Sequence, residues 1–159
     1  MTNPRKCCRY LFPTVSADIY KGCVEKCKNE YKDCVNDCAY DGMRFFDDNN
    51  KFEIEMVVKS FIDFSNVDNV FKETWSEIVR ESAKKCEQIV LSKKSAEVMN
   101  DKNKLSSTVL TCALKENFIN CPNFQTNDEC MSLKNYVENC KFCCNTNAEA
   151  PDSTFWYQK

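Results

Sequence analysis

Histidine is absent from all 159 residues. That absence removes Ser/His/Asp and Cys/His nucleophilic sites, every histidine metal ligand and the histidine-dependent secreted phospholipases. It also removes imidazole titration, the usual switch between about pH 5 and 8, so any release of a ligand in mild acid has to use carboxylates or a chain terminus. Glycine is scarce as well. Gly22 and Gly42 are the two present, which leaves no glycine-rich loop to cradle a phosphate or dinucleotide. Two glycines with four prolines are too few for a turn-dense β-sandwich, so the expected fold class is all-α. No stretch approaches the roughly 18 apolar residues of a membrane span. The net charge is -2, and lysines are interleaved with carboxylates, so neither a nucleic-acid surface nor a polybasic membrane anchor is indicated. The opening Met1-Thr2-Asn3-Pro4-Arg5-Lys6 is not a signal peptide, and a secreted protein with this start is expected to be in its mature form.

Cysteine is what the chain has in excess. Thirteen in 159 residues read as a disulfide framework formed in an oxidising compartment, which makes secretion the expectation. With 43% hydrophobic and 29% charged residues, the chain has material for one core of ordinary size, so a single domain over 1–159 is expected. Thirteen is odd, so at most six bonds form within one chain and one thiol is left over; Cys7, Cys8, Cys143 and Cys144 are the first candidates.

Residues 1–16 hold the vicinal pair Cys7-Cys8 with Pro4 and Pro13 and read as an irregular arm pinned by a disulfide. From Ala17 to Tyr40 the pattern is helical: at 100° per residue Cys23, Cys27, Cys34 and Cys38 fall within an arc of about 60°. Cysteines at i and i+4 on one helix, about 6 Å apart at Cβ, are too distant to bond each other, so each needs a partner elsewhere. In 52–64, Ile54, Val57, Val58, Phe61 and Phe64 share one side, the spacing of a half-buried helix. A longer helix over Val67 to Val90 gathers Val67, Phe71, Trp75, Ile78, Val79, Cys86 and Ile89 on one stripe, with Glu73, Glu77, Arg80, Glu81 and Lys84 outside. Ser92 to Lys104 is polar and reads as a surface connection. In Ser106 to Asn120, Val109, Cys112 and Ala113 face one way and Leu110, Leu114 and Phe118 another, so this helix is expected to be central. Thr126-Asn127-Asp128-Glu129 carries a capping-box signature. A helix to about Cys143 should follow, burying Cys130, Leu133, Tyr136, Val137, Cys140 and Cys144.

The cysteine string runs Cys34-x3-Cys38, 47 residues, Cys86, 25 residues, Cys112-x8-Cys121-Pro122, then Cys130 after eight more and Cys140 after nine. This string resembles that of the insect odorant-binding proteins. The additional cysteines and the proline after Cys121 resemble the Plus-C branch of that family. Two departures from the ordinary six-cysteine pattern, the long gap from Cys86 to Cys112 and the second Cys-x3-Cys at Cys23 and Cys27, also suit that branch.

The resemblance implies about six or more helices around an internal hydrophobic cavity, with a carboxy-terminal extension over about 122–159. By the family's pairing it implies Cys8 with Cys38, Cys34 with Cys112 and Cys86 with Cys121, Cys7 being able to replace Cys8. Cys23 and Cys27 are then expected to bond within the group Cys130, Cys140, Cys143 and Cys144. The implied function is carriage of a small hydrophobic molecule, of the odorant or semiochemical class, without catalysis or cofactor. The partners it implies are that ligand, an olfactory receptor or another odorant-binding protein, and a second copy of the chain.

Such a carrier needs an apolar pocket with one or two polar groups. Phe71, Trp75, Ile78, Leu114 and Phe118 are the candidate lining residues, weighed against plain core packing, which aromatic stripes at helical spacing more often serve. Phe155-Trp156-Tyr157 reads as a lid, a dimer contact or a frayed tail. A zinc site on Cys23, Cys27, Cys34 and Cys38 is disfavoured, because structural zinc usually takes Cys-x2-Cys loops and free thiolates. Asp47, Asp48, Glu53 and Glu55 carry no acid/base signature beyond a solvated helix face. The competing reading is a secreted helical disulfide protein that binds another protein, an effector or a protease inhibitor.

Overall fold

The computed structural model describes residues 2–11, 17–28, 32–43, 45, 47, 51–92 and 102–139. Among them the regular structure is helical, and the all-α expectation holds. Among the described residues a single-turn helix α1 (Pro4–Cys7) is followed by six longer ones: α2 (Ala17–Lys26), α3 (Lys32–Met43), α4 (Ile54–Phe64), α5 (Lys72–Ser92), α6 (Lys102–Ile119) and α7 (Asp128–Asn139). A 3-10 turn, Asn69–Phe71, leads into α5.

Local chemistry sets the boundaries. Asn3 caps α1, its side chain accepting from the Arg5 N–H at 2.9 Å, and Pro4 opens the helix with a preset φ. At the end of α4 the Ser65 N–H donates to the Phe61 carbonyl. Asn66 follows at φ 48, the left-handed conformation that asparagine tolerates and that stops a helix. The expected helix from Val67 therefore begins late: Val67 is buried ahead of it, and α5 starts at Lys72. At α7 the cap is Asn127, whose Oδ1 accepts from the Cys130 N–H at 2.9 Å. The capping box expected at Thr126 is therefore replaced by a simple cap one residue later: an asparagine oxygen reaches the third N–H of the helix as well as a threonine hydroxyl does, and the residue there, Cys130, has no carboxylate to bond back to the cap.

The largest departure is between Ala17 and Tyr40. What reads as one helix is two, α2 and α3, parted by a turn that begins at Cys27–Lys28. Cys23 and Cys34 are eleven residues apart, close to three whole turns at 3.6 residues each, so their angular phase survives the break. In an uninterrupted helix Cys23 and Cys38 would lie about 22 Å apart; their Cα atoms are 5.6 Å apart. The helices close tightly where Gly42 meets Ile19: a Cβ on Gly42 would sit 2.8 Å from Ile19 Cγ2.

One core joins the rest. α5 and α6 run antiparallel, clamped by Cys86–Cys112 and by Lys85 Nζ on Glu116 Oε2 at 2.7 Å. α4 lies on α5, with the Phe61 and Trp75 rings 5.1 Å apart and the Arg80 guanidinium bridging both Glu55 oxygens at 2.6 and 3.0 Å. α7 contributes Cys130, Leu133 and Val137 to the same cluster, and the amino-terminal arm adds Cys7, Cys8, Tyr10 and Leu11. Each of the large apolar side chains fully withdrawn from water contributes roughly 1.5–3 kcal/mol. Tyr136, expected on the buried face of α7, is 53% exposed; the covered stripe is Cys130, Leu133 and Val137 alone.

Candidate functional site: the braced helical interior

Five disulfides brace the described residues: Cys7–Cys130, Cys8–Cys121, Cys23–Cys38, Cys27–Cys34 and Cys86–Cys112. This corrects the pairing the resemblance implied. Cys8 bonds Cys121 instead of Cys38, Cys34 bonds Cys27 instead of Cys112, and Cys86 bonds Cys112 instead of Cys121. Cys23 and Cys27 bond within the α2–α3 hairpin instead of reaching the carboxy-terminal group. The reason is the fold-back of α2 on α3: two i, i+4 pairs on antiparallel neighbours face each other and form two nested rungs. With all four sulfurs oxidised, that cluster has no thiolate to offer zinc.

Cys7 and Cys8, expected as candidates for a free thiol, are both bonded. Adjacent residues on the short arm reach two different places, Cys130 in α7 and Cys121 just past α6, and the Gln125 N–H donates to the Cys7 carbonyl at 2.8 Å. Ten of the thirteen cysteines are thereby used; Cys140, Cys143 and Cys144 lie outside the described residues, as does Phe155-Trp156-Tyr157.

The five residues expected to line a ligand site fall on one core. Trp75, Leu114 and Phe118 are buried members of it, and Phe71 and Ile78 lie against it, partly buried. Their aromatic contacts differ. Trp75 meets Phe61 of α4, Phe118 meets Phe124 edge-on at 5.4 Å, and Phe71 meets Tyr10 of the arm at 6.1 Å. α6 is central, as its two apolar sides suggested: from Thr108 to Ile119 every residue is buried or half-buried.

Two polar groups inside this interior escaped sequence reasoning. Trp75 Nε1 and Asn117 Oδ1 are buried and have no hydrogen-bond partner among the described residues; the third such atom, Ser65 Oγ, belongs to a half-buried residue at the end of α4. Trp75 and Asn117 are 0% and 2% exposed. Buried polar atoms are nearly always paired, and each exception calls for an explanation. An indole N–H can only donate, and an amide oxygen can only accept. The available signal for Asn117 was a polar residue set between Leu114 and Phe118 on a helix with two apolar sides.

Charges lie at the rim. Glu55 is held below the usual carboxylate range, first by its hydrogen bond to Arg80. Burial pushes the half-buried Glu87 carboxyl up, with Lys51 pulling the other way. The described residues contain no group of three His, Cys, Asp or Glu side chains able to hold a metal ion, and no helix among them is long and apolar enough to cross a membrane. Compared with known protein families, characterised proteins and solved structures, the chain finds no match.

Proposed function

We propose that the protein is a secreted carrier that takes a small hydrophobic molecule, of the odorant or semiochemical class, into its helical interior and performs no catalysis. The observation that carries this reading is the pair of unpartnered polar atoms, Trp75 Nε1 and Asn117 Oδ1, inside an otherwise apolar and aromatic core. A binding interior needs such a combination: apolar walls for affinity and one or two polar groups for orientation. The disulfides support it in two ways. Five of them fit an oxidising, extracellular setting, and cross-links between α5 and α6 and between the arm and α7 brace elements around the core without relying on close packing alone. The cysteine spacing that resembles the Plus-C odorant-binding proteins points the same way, although the disulfide pairing departs from that family's.

The test is a titration of the oxidised, delipidated protein with an environment-sensitive hydrophobic dye, followed by displacement with small volatile and long-chain molecules. Saturable, displaceable binding at about micromolar concentration is expected. Absence of saturable uptake would overturn the carrier and favour a disulfide scaffold that binds another protein through its surface.

A further inference from the structure

Asn117 occupies a position in α6 that the chain itself does not satisfy. Around a helix of 3.6 residues per turn, Leu110 and Leu114 share its stripe at i−7 and i−3, and both are buried. The side of α6 turned to α5 is marked by Cys112, bonded to Cys86, and by Glu116, paired with Lys85. Asn117 lies about 140° and 100° away from these two, on the Leu110 and Leu114 side of the helix and not on the clamped α5 side. Its oxygen finds no donor among the described residues. Leucine would fill a similar volume there without burying an unpaired acceptor, a substitution that usually stabilises.

We propose that Asn117 is the orienting acceptor of a ligand site on the Leu110, Leu114 and Phe118 side of α6, and that the ligand class is lipophilic alcohols. The inference rests on the carrier reading and deepens it. An acceptor oxygen demands a donor from its guest. The apolar neighbours demand that the guest be uncharged and mostly hydrocarbon, and a hydroxyl on an aliphatic or terpenoid skeleton meets both conditions. Hydrocarbons, ethers and esters of the same size bring no donor for this oxygen; ethers and esters can accept from Trp75 Nε1, so the contribution of Asn117 is the part of the alcohol preference that disappears when its oxygen is removed. One neutral hydrogen bond in such a setting corresponds to about three- to tenfold in affinity.

The experiment measures displacement of N-phenyl-1-naphthylamine by a long-chain primary alcohol, its methyl ether and the alkane of matched length. The wild-type protein should favour the alcohol over the ether by about three- to tenfold. In Asn117→Leu, or in Asn117→Ala if circular dichroism shows the leucine variant misfolded, that ratio should fall to about one. Dye uptake with equal displacement by alcohol and ether overturns the inference and leaves the carrier reading standing. So does a preference that persists in the variant, which would mean that the oxygen serves a buried water or another part of the chain. Failure of the wild-type protein to take up dye removes the carrier reading and this inference with it.

Discussion

The Tyr10 hydroxyl donates a hydrogen bond to the Asp68 carboxylate, joining the amino-terminal arm to the turn that leads into α5. Arg9 Nη1 approaches the same carboxylate at 3.9 Å, and the Tyr10 ring lies against Phe71. The arm is therefore held at three points: by sulfur to α7 and to Cys121 just past α6, and by this phenol to the turn ahead of α5.

The phenol predicts an alkaline response. Its hydrogen bond to Asp68, foremost, holds Tyr10 above the usual tyrosine range, so the folded protein favours the neutral hydroxyl. The resulting stability is complete below the unfolded tyrosine pKa and is lost as pH rises through the higher folded one. Tyr10→Phe should melt below the wild-type protein near neutrality, and the two curves should converge in alkali. A difference in Tm that stays constant through the tyrosine range would show that ionisation of this phenol is not linked to folding.

Glu55 predicts the opposite limb. Arg80 holds its carboxyl low, so its contribution is present above the unfolded carboxylate pKa and disappears as pH falls through the depressed folded value. Glu55→Gln should unfold at lower temperature than wild type near pH 7 and match it in acid. Because the pair is exposed, raising the salt concentration should also narrow the gap. Acid titrations of Tm at two ionic strengths would check both.

The vicinal bonds predict non-additivity. Cys7–Cys130 and Cys8–Cys121 span 123 and 113 residues, but with either in place the other closes a ring of only about ten residues. On the chain-entropy relation, losing one bond costs about 3 kcal/mol, whereas losing both costs about 7–8 kcal/mol, more than twice as much. Serine replacements of each pair and of both, compared by urea denaturation, should show this excess. Strict additivity would mean that the two bonds act on separate parts of the fold.

The two glycines predict changes of opposite sign. Gly42→Val would drive a side chain into Ile19, an overpacking that typically costs about 1–3 kcal/mol. Gly22 in α2 has nothing within 4 Å of where a Cβ would be, and Gly22→Ala should stabilise by roughly 0.5–1 kcal/mol through helix propensity. Shifts of the urea midpoint at constant m-value would measure each.

Much of the helical architecture was legible because amphipathic spacing reports burial directly: Val57, Val58 and Phe61 in α4, and Trp75, Val79 and Cys86 in α5, are covered as their periodicity required. The α2–α3 turn was not legible, since eleven-residue spacing keeps its helical phase whether or not the chain reverses. Disulfide partners follow from that reversal, so Cys23 and Cys34 could not be assigned before it was seen. On α6 two apolar sides, and with them a central position, were readable from Val109, Leu110, Leu114 and Phe118. That Asn117 shares this burial with its oxygen unpaired required the coordinates, because a polar residue in a helix ordinarily marks the solvated side.

The end-to-end clasp has a consequence for synthesis. Cys23–Cys38, Cys27–Cys34 and Cys86–Cys112 span 15, 7 and 26 residues, and all six of these cysteines leave the ribosome before Cys121. A nascent chain can therefore complete its hairpin and its α5–α6 clamp while Cys7 and Cys8, made first, still lack their partners. Closure of the arm waits for Cys121 and Cys130, and an oxidant that acts too early can join Cys7 to Cys8 or to a neighbour before α7 exists. The order in which residues emerge, as much as their packing, then determines the fraction of molecules that acquire the native clasp.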